Sequence, residues 1–146
     1  MDRNKPKPSL NHSIIQANLI IQMGLLYKKK YRVASELSLD LSDWLSVPDI
    51  CIFPKMPLDL QNDEVAMMQA PLCTVEIISP SQSLTELVAK ARDYFGHGVK
   101  SCWIVLPPLG NIYVFRSPDE YDIFRATETL YDSVLDISIP LSEVFE

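Results

Sequence analysis

Two acidic residues lie where the sequence is otherwise apolar. Asp49 immediately precedes the apolar residues 50–53, and Glu76 lies inside a second apolar run at residues 72–79. Burying an isolated carboxylate costs several kcal/mol, roughly, even after relaxation, so each acid needs a partner that offsets this cost. A divalent cation bound by both carboxylates would do so. An arginine bound to Glu76, or exposure of both acids at a sheet edge, would do so as well.

Lys90 is a candidate cation for the same place. It follows Glu76 in a segment that opens with a capping-box pattern at residues 83–86, which predicts the start of a helix. At ~100° per residue, Lys90 falls beside the apolar face of that helix. Its ammonium group could therefore lean toward the carboxylates, orient or deprotonate a water and stabilise charge on a phosphate. A solvated lysine paired with Glu86 or Asp93 is the alternative.

The elements that would position these residues follow from hydrophobic periodicity. A first helix is predicted from a cap at Ser9 or Asn11 to about Lys30, and a second begins at residues 83–86. Strands are predicted at residues 33–41, 50–53, 72–79, 102–106, 112–115, 121–124 and 136–139, with a helical turn after Pro140.

The order of these elements predicts the fold class. Near-continuous apolar strands indicate a sheet covered on both faces, and the central strand–helix–strand unit can form a right-handed crossover. The strand at residues 33–41 alternates instead, with Leu37, Leu39 and Leu41 on one face. We therefore expect an α/β or α+β protein with a mixed sheet flanked by helices and with extra C-terminal strands.

Length and composition indicate one globular domain. The chain has 146 residues, of which 47% are hydrophobic and 22% charged, as is usual for a single core. Residues 1–8 are polar and predict a flexible tail, which leaves residues 9–146 as the domain. The apolar stretch at residues 14–26 is broken by polar residues and is too short to span a membrane.

The cysteines indicate a reducing compartment. Cys51, Cys73 and Cys102 each lie in an apolar run, and their odd number and wide spacing argue against a disulfide framework or a zinc site. We expect buried, reduced thiols and therefore a cytoplasmic protein.

The overall charge limits the kind of nucleic-acid binding that is expected. The net charge of −6 and pI of about 4.9 argue against a protein that coats DNA. They do not exclude a nuclease, because local charge can differ from the total. Basic residues concentrate at Arg3, Lys5 and Lys7 and at residues 28–32, where the helix dipole also favours cations at a helix end.

Several short motifs, taken in order, resemble a known family. These motifs are Val47-Pro48-Asp49-Ile50, Val75-Glu76-Ile77-Ile78-Ser79-Pro80-Ser81, Lys90, Tyr94, Gly98-Val99, Trp103-Ile104-Val105, Pro107 and Ile139-Pro140-Leu141-Ser142-Glu143-Val144-Phe145. Together they resemble the Uma family of predicted restriction endonucleases, within the PD-(D/E)XK nuclease superfamily. The resemblance covers roughly residues 12–145.

This resemblance implies a fold and a chemistry. The fold would be a restriction-endonuclease-like mixed sheet flanked by helices, and the reaction would be hydrolysis of phosphodiester bonds, with DNA as the expected substrate. Asp49 and Glu76 would bind Mg²⁺ or Mn²⁺, with the carbonyl of Ile77 as a third ligand, and Lys90 would complete the catalytic set. Nucleases of this type often form homodimers, and exposed apolar strands in the C-terminal region would be compatible with a symmetric interface.

The sequence departs from the superfamily pattern at one position. The usual lysine, two residues after the acid on the same strand, is replaced by Ile78. In the Uma pattern the next helix supplies a lysine, and Lys90 matches it. The departure and the acidic net charge leave a second hypothesis, in which the protein is a catalytically decayed nuclease fold that binds nucleic acid or protein.

Three further residues are weaker candidates for the site. His12 matches a histidine often found in the first helix of the family, although a surface histidine at a helix start is the simpler interpretation. Glu36 could be an outer metal ligand, but exposure to solvent is the simpler expectation. Tyr94 could contact a nucleotide or support Lys90, whereas a core-edge aromatic with a wet hydroxyl is the alternative that we favour.

Overall fold

The computed structural model describes residues 7–146. The predicted tail therefore falls mostly outside the described residues, as do Arg3 and Lys5. The helices are α1 (Leu10–Tyr27), α2 (Leu84–Gly96) and α3 (Ser142–Phe145). The strands are β1 (Tyr31–Ser35), β2 (Leu39–Leu41), β3 (Trp44–Ser46), β4 (Ile50–Pro54), β5 (Cys73–Ile77), β6 (Ser101–Leu106), β7 (Asn111–Ser117), β8 (Glu120–Arg125), β9 (Thr129–Asp132) and β10 (Ile137–Pro140).

A six-stranded sheet in the order β1-β4-β5-β6-β7-β8 forms the centre of the molecule. The pair β5–β6 is parallel and is connected by α2, while the other neighbouring pairs are antiparallel. Parallel neighbours need a crossover of this kind because the chain must return to the same end of the sheet. The predicted α+β class with a mixed sheet flanked by helices is confirmed.

The two faces of the sheet are covered by different elements. One face packs against α1, the β9–β10 hairpin and α3, which contribute Leu19, Ile139 and Val144 to the core. The other face packs against α2 and the β2–β3 hairpin, which contribute Leu87 and Leu39. Residues alternate between the two clusters along β4 and β5, so side chains two positions apart share a face.

Both long helices begin at the residues that the sequence indicated. The Ser9 hydroxyl accepts from the backbone N–H of His12, and the Ser83 hydroxyl accepts from that of Glu86. Helix α1 ends at Tyr27, earlier than predicted.

The predicted strand at residues 33–41 is wrong. Strand β1 stops at Ser35, because Glu36 adopts a left-handed backbone with φ of 56° that cannot continue an extended strand. The chain then forms a separate hairpin, β2–β3, which turns through two further left-handed residues, Ser42 and Asp43. In the C-terminal region, strand β9 was not predicted.

The cysteines are buried, reduced thiols, as the sequence predicted. All three cysteines are buried and free, and burial raises the pKa of Cys51 and of Cys102 to about 12. Their thiols therefore stay protonated at neutral pH. Within residues 7–146, no helix combines the length and the apolar character needed to cross a membrane.

A buried carboxylate that the sequence did not indicate fastens the C-terminal hairpin to the sheet. Asp132, at the end of β9, is fully buried. Its Oδ2 accepts from the Ser101 hydroxyl and, at 2.8 Å, from the Trp103 indole, both on β6. Its Oδ1 accepts from the backbone N–H groups of Val134 and Leu135 at 2.9 and 3.0 Å. Four donors satisfy this carboxylate, so its role is structural.

We expect Asp132→Ala to lower the free energy of unfolding by about 3 kcal/mol, because it leaves buried donors without an acceptor. Urea denaturation followed by circular dichroism measures the change. The control is Asp119→Ala, which removes only an exposed ion pair with Arg92 and is expected to cost less than about 1 kcal/mol. Equal losses in the two variants would contradict the structural role.

Candidate active site

Asp49 lies immediately before β4 and is buried. Its Oδ2 accepts from the backbone N–H of Ile77 at 2.7 Å and lies 3.2 Å from Nε2 of His12. Since a carboxylate only accepts, the proton of this imidazole is assigned to Nε2. Within residues 7–146, Nδ1 of His12 is buried with no hydrogen-bond partner. The histidine thus holds Asp49 and is not the surface residue of the simpler interpretation.

Glu76 lies in β5 and is buried at 4% relative exposure. Its Oε2 lies 2.9 Å from Nζ of Lys90 and accepts from the Tyr94 hydroxyl at 2.8 Å. Both partners belong to α2, one turn apart, so they project from the same side of the helix. The side chain of Lys90 is 25% exposed, so solvent reaches part of the lysine whose ammonium contacts the buried carboxylate. Lys90 therefore pairs with Glu76, and not with Glu86 or Asp93 as in the alternative of a solvated lysine.

Two hydroxyl groups, those of Ser46 and Tyr94, form a chain of hydrogen bonds that ends at Glu76. Tyr94 has one hydroxyl proton and donates it to Glu76, so in the 2.6 Å contact with Ser46 the serine is the donor. Burial, and then the negative charge of Glu76, raise the pKa of Tyr94 well above its ordinary value. The phenol therefore remains a donor throughout the neutral range. The Tyr94 hydroxyl, which was expected to be exposed to water, is buried.

The two acids lie beside each other where β4 and β5 pair. Asp49, which immediately precedes β4, accepts from the backbone N–H of Ile77, the residue after Glu76 on β5. Glu76 is bound by two residues of α2, whereas Asp49 is contacted by His12 of α1.

The residue at the usual lysine position lies on the same side of the sheet as Glu76. Ile78 packs in the cluster beneath α2, on the same side as Glu76. An apolar side chain there cannot stabilise a phosphate. Lys90 brings its ammonium to Glu76 from the helix instead, so the site contains the cation that the strand lacks.

The donor set of the site fits a hard divalent cation. Mg²⁺ is commonly held by one or two carboxylates, its other positions being filled by water and substrate phosphates. Asp49 and Glu76 provide this number. Because Ile77 directs its N–H toward Asp49, its carbonyl lies on that side of the extended strand too. Within residues 7–146, no group of three or more His, Cys, Asp and Glu side chains is arranged so that it could hold a metal.

Gln16 links the two remaining candidates. Its amide donates to Oε2 of Glu36 at 3.1 Å and to the backbone carbonyl of Asp49 at 3.0 Å. Glu36 is therefore half-buried beside the site, whereas solvent exposure was the simpler expectation. Gln16 and Ser46 were both missed by the sequence analysis. The only available signal was that Gln16 interrupts an apolar stretch one turn after His12.

Comparisons with known proteins identify the family and the fold. The model of the Uma2 family, described as "Putative restriction endonuclease", matches residues 3–142, which confirms the predicted resemblance. Among solved structures, the chain is similar to a "putative nuclease belonging to DUF820 from Anabaena variabilis ATCC 29413". The identity is 24%, the match covers 97% of this chain and 83% of that chain, and the TM-score is 0.83. This likeness shows a shared fold. No curated protein matches the chain.

We expect Tyr94→Phe to lower the free energy of unfolding by about 2 kcal/mol at pH 7, because Glu76 loses a donor and Ser46 loses its acceptor. This difference should shrink above pH 10. There the unfolded wild type releases a phenolic proton that the native state retains, so wild-type stability falls as the pH rises.

Urea denaturation between pH 7 and 11 measures both effects, and Tyr113→Phe is the matched control for loss of a hydroxyl. The three thiols titrate alike in all these proteins and cancel in the comparison. A constant difference between wild type and Tyr94→Phe at every pH would contradict the buried donor.

Proposed function

The chain belongs to the Uma2 family, and we propose that it is a metal-dependent endonuclease that hydrolyses phosphodiester bonds of DNA. In this proposal residues 9–146 form the nuclease domain, which acts as a homodimer in the cytoplasm. Asp49 and Glu76 are the ligands of Mg²⁺ or Mn²⁺, and Lys90 is a catalytic residue. The observation that carries the proposal is the 2.9 Å contact between Lys90 and Glu76, which brings an ammonium to the site despite Ile78.

Hydrolysis requires a water oxygen to form a bond to phosphorus while the bond to the leaving oxygen breaks. The leaving oxygen takes up a proton, and a proton of the water passes to solvent or to a base. A bound divalent cation would polarise the phosphoryl group and lower the pKa of a bound water. The protein's own residues must fix both carboxylates and place positive charge beside the phosphate.

The surroundings of each carboxylate suit these tasks. His12 and the backbone of Ile77 hold Asp49 in one orientation, and Tyr94 holds Glu76. Fixed ligands reduce the reorganisation that accompanies the reaction. Lys90 is held at the solvent-facing side of Glu76, where its ammonium can orient the attacking water or stabilise the negative charge that develops on the phosphate.

Two further observations support the choice of substrate and compartment. The description of the family model, restriction endonuclease, supports DNA as the substrate. The three buried thiols, which are protonated at neutral pH, support a reducing compartment.

We expect Glu76→Gln to reduce cleavage of plasmid DNA by about 100-fold or more in Mg²⁺ or Mn²⁺, because a neutral amide is a poor ligand and a poor partner for Lys90. Conversion of supercoiled plasmid to nicked and linear forms measures the rate. Glu64→Gln, the same change at an exposed loop residue, should cleave at the wild-type rate. Cleavage that survives Glu76→Gln would exclude this site.

We expect Asp49→Asn and Lys90→Met to separate ligand from catalytic roles. Calorimetric titration with Mn²⁺ should show binding to the wild type, strong weakening in Asp49→Asn and retained binding in Lys90→Met. Both variants should lose cleavage, while Lys100→Met, at an exposed position, should keep it. A wild type that binds neither Mn²⁺ nor Mg²⁺ and cleaves no DNA would favour the second hypothesis, a nuclease fold that only binds.

A further inference from the structure

Helix α1 has two apolar faces, and within residues 7–146 the core is built on only one of them. The inner face buries Ile15, Leu19 and Met23 against the sheet. The outer face consists of Leu10, Ile14, Ile21 and Leu25, which are 74%, 46%, 54% and 74% exposed. At ~100° per residue, the outer four lie roughly opposite the inner three. A surface helix normally presents polar residues on the side away from the core.

The spacing of the outer face is symmetric about its own centre. Leu10 and Leu25 lie equally far from the midpoint between residues 17 and 18, and so do Ile14 and Ile21. In an antiparallel pair of identical helices, Leu10 of one copy therefore meets Leu25 of the other. Ile14 likewise meets Ile21 of the second copy. This self-complementarity is what a two-fold symmetric interface requires.

The residue at the centre of the outer face permits close approach. Ala17 lies beside the midpoint and is exposed. Its small side chain leaves room for a second helix to lie against this face.

We propose that the outer face of α1 binds the same face of a second copy in an antiparallel α1–α1 homodimer. The four large side chains expose roughly 400 Å² of apolar surface per copy, within the range of the largest patches on monomers, which are often functional. Counting both copies and their polar margins, the contact reaches about the 1,000 Å² that a specific interface needs. The inference does not depend on the proposed catalysis.

The C-terminal strands, which were compatible with an interface at the level of sequence, are less suitable. Strands β9 and β10 bury their apolar residues Leu130, Ile137 and Ile139 within the core. The edge strand β8 exposes Tyr121 and Ile123. However, the Tyr121 ring already packs on aromatic rings of its own sheet, with centroids 4.9 and 5.5 Å apart.

The test is the oligomeric state of purified full-length protein, measured by sedimentation velocity over a concentration series. The wild type should dimerise, and Ile21→Glu should weaken the dimer by about 100-fold or more, because the new carboxylate faces an apolar partner. Ile14→Lys should act in the same way. Combining Ile14→Lys with Ile21→Glu should restore the dimer, since the antiparallel register then pairs opposite charges across the interface.

The control is Ile123→Glu, which alters an equally exposed isoleucine on β8 and should leave the dimer intact. Circular dichroism confirms that each variant is folded, and Leu25→Glu provides a second disruption of the same face. A wild type that stays monomeric at all concentrations would overturn the proposal. So would a dimer that Ile123→Glu, but not Ile21→Glu or Leu25→Glu, dissociates.

A different occupant would show itself in the same series. If the wild type is monomeric and instead co-sediments with anionic phospholipid vesicles, with binding lost in Ile21→Glu, the outer face binds a membrane surface and not a second copy.

Discussion

The buried carboxylate of Glu76 is the constraint around which this molecule is organised. A negative charge inside β5 is tolerable only if fixed donors and positive charge surround it. The structure provides Lys90 and Tyr94 from a single helix. The two partners of Glu76 must come from outside β5, because the residues beside Glu76 on that strand, Val75 and Ile77, are apolar. The crossover that joins β5 to β6 is therefore more than a connection, since it carries the partners that make the acid stable in this position.

The same arrangement explains why the site lies at the junction of several elements. Asp49 enters from β4, while His12 and Gln16 reach it from the first turns of α1. Ser46 completes the chain of donors from the β2–β3 hairpin. Each element contributes one or two polar groups and otherwise packs through apolar side chains. Rigid packing of this kind fixes the polar groups without requiring a flexible loop.

Helix α1 illustrates how one element can serve distinct requirements along its length and around its circumference. Its first turns hold Asp49, its inner face builds the core, and its outer face remains apolar in the single chain. An apolar outer face leaves hydrophobic side chains in contact with water, which is unfavourable. Association with another surface removes that exposure, whereas a polar outer face would have given a simpler monomer.

Local patterns in the sequence were sufficient for much of the fold and for the choice of the candidate site residues. Hydrophobic runs placed β4 and β5, and capping residues placed the starts of both long helices. An acid beside or inside an apolar run is unusual enough to single out Asp49 and Glu76, and helical geometry placed Lys90 at the edge of the apolar face. The inferences about the strands and helices succeeded because each depends on residues within a few positions of one another.

Only the tertiary structure decided which polar groups meet across the chain. Ser46 and Tyr94 are 48 positions apart, and His12 and Asp49 are 37 apart. Likewise, the left-handed backbone at Glu36 carries no glycine signal, so the alternating pattern predicted a continuous strand. Contacts at such separations depend on how whole elements pack, and a one-dimensional pattern contains no information on that packing. The sequence alone thus determined the candidate acids and the scaffold type, and the packing of the elements determined the partners that surround the acids.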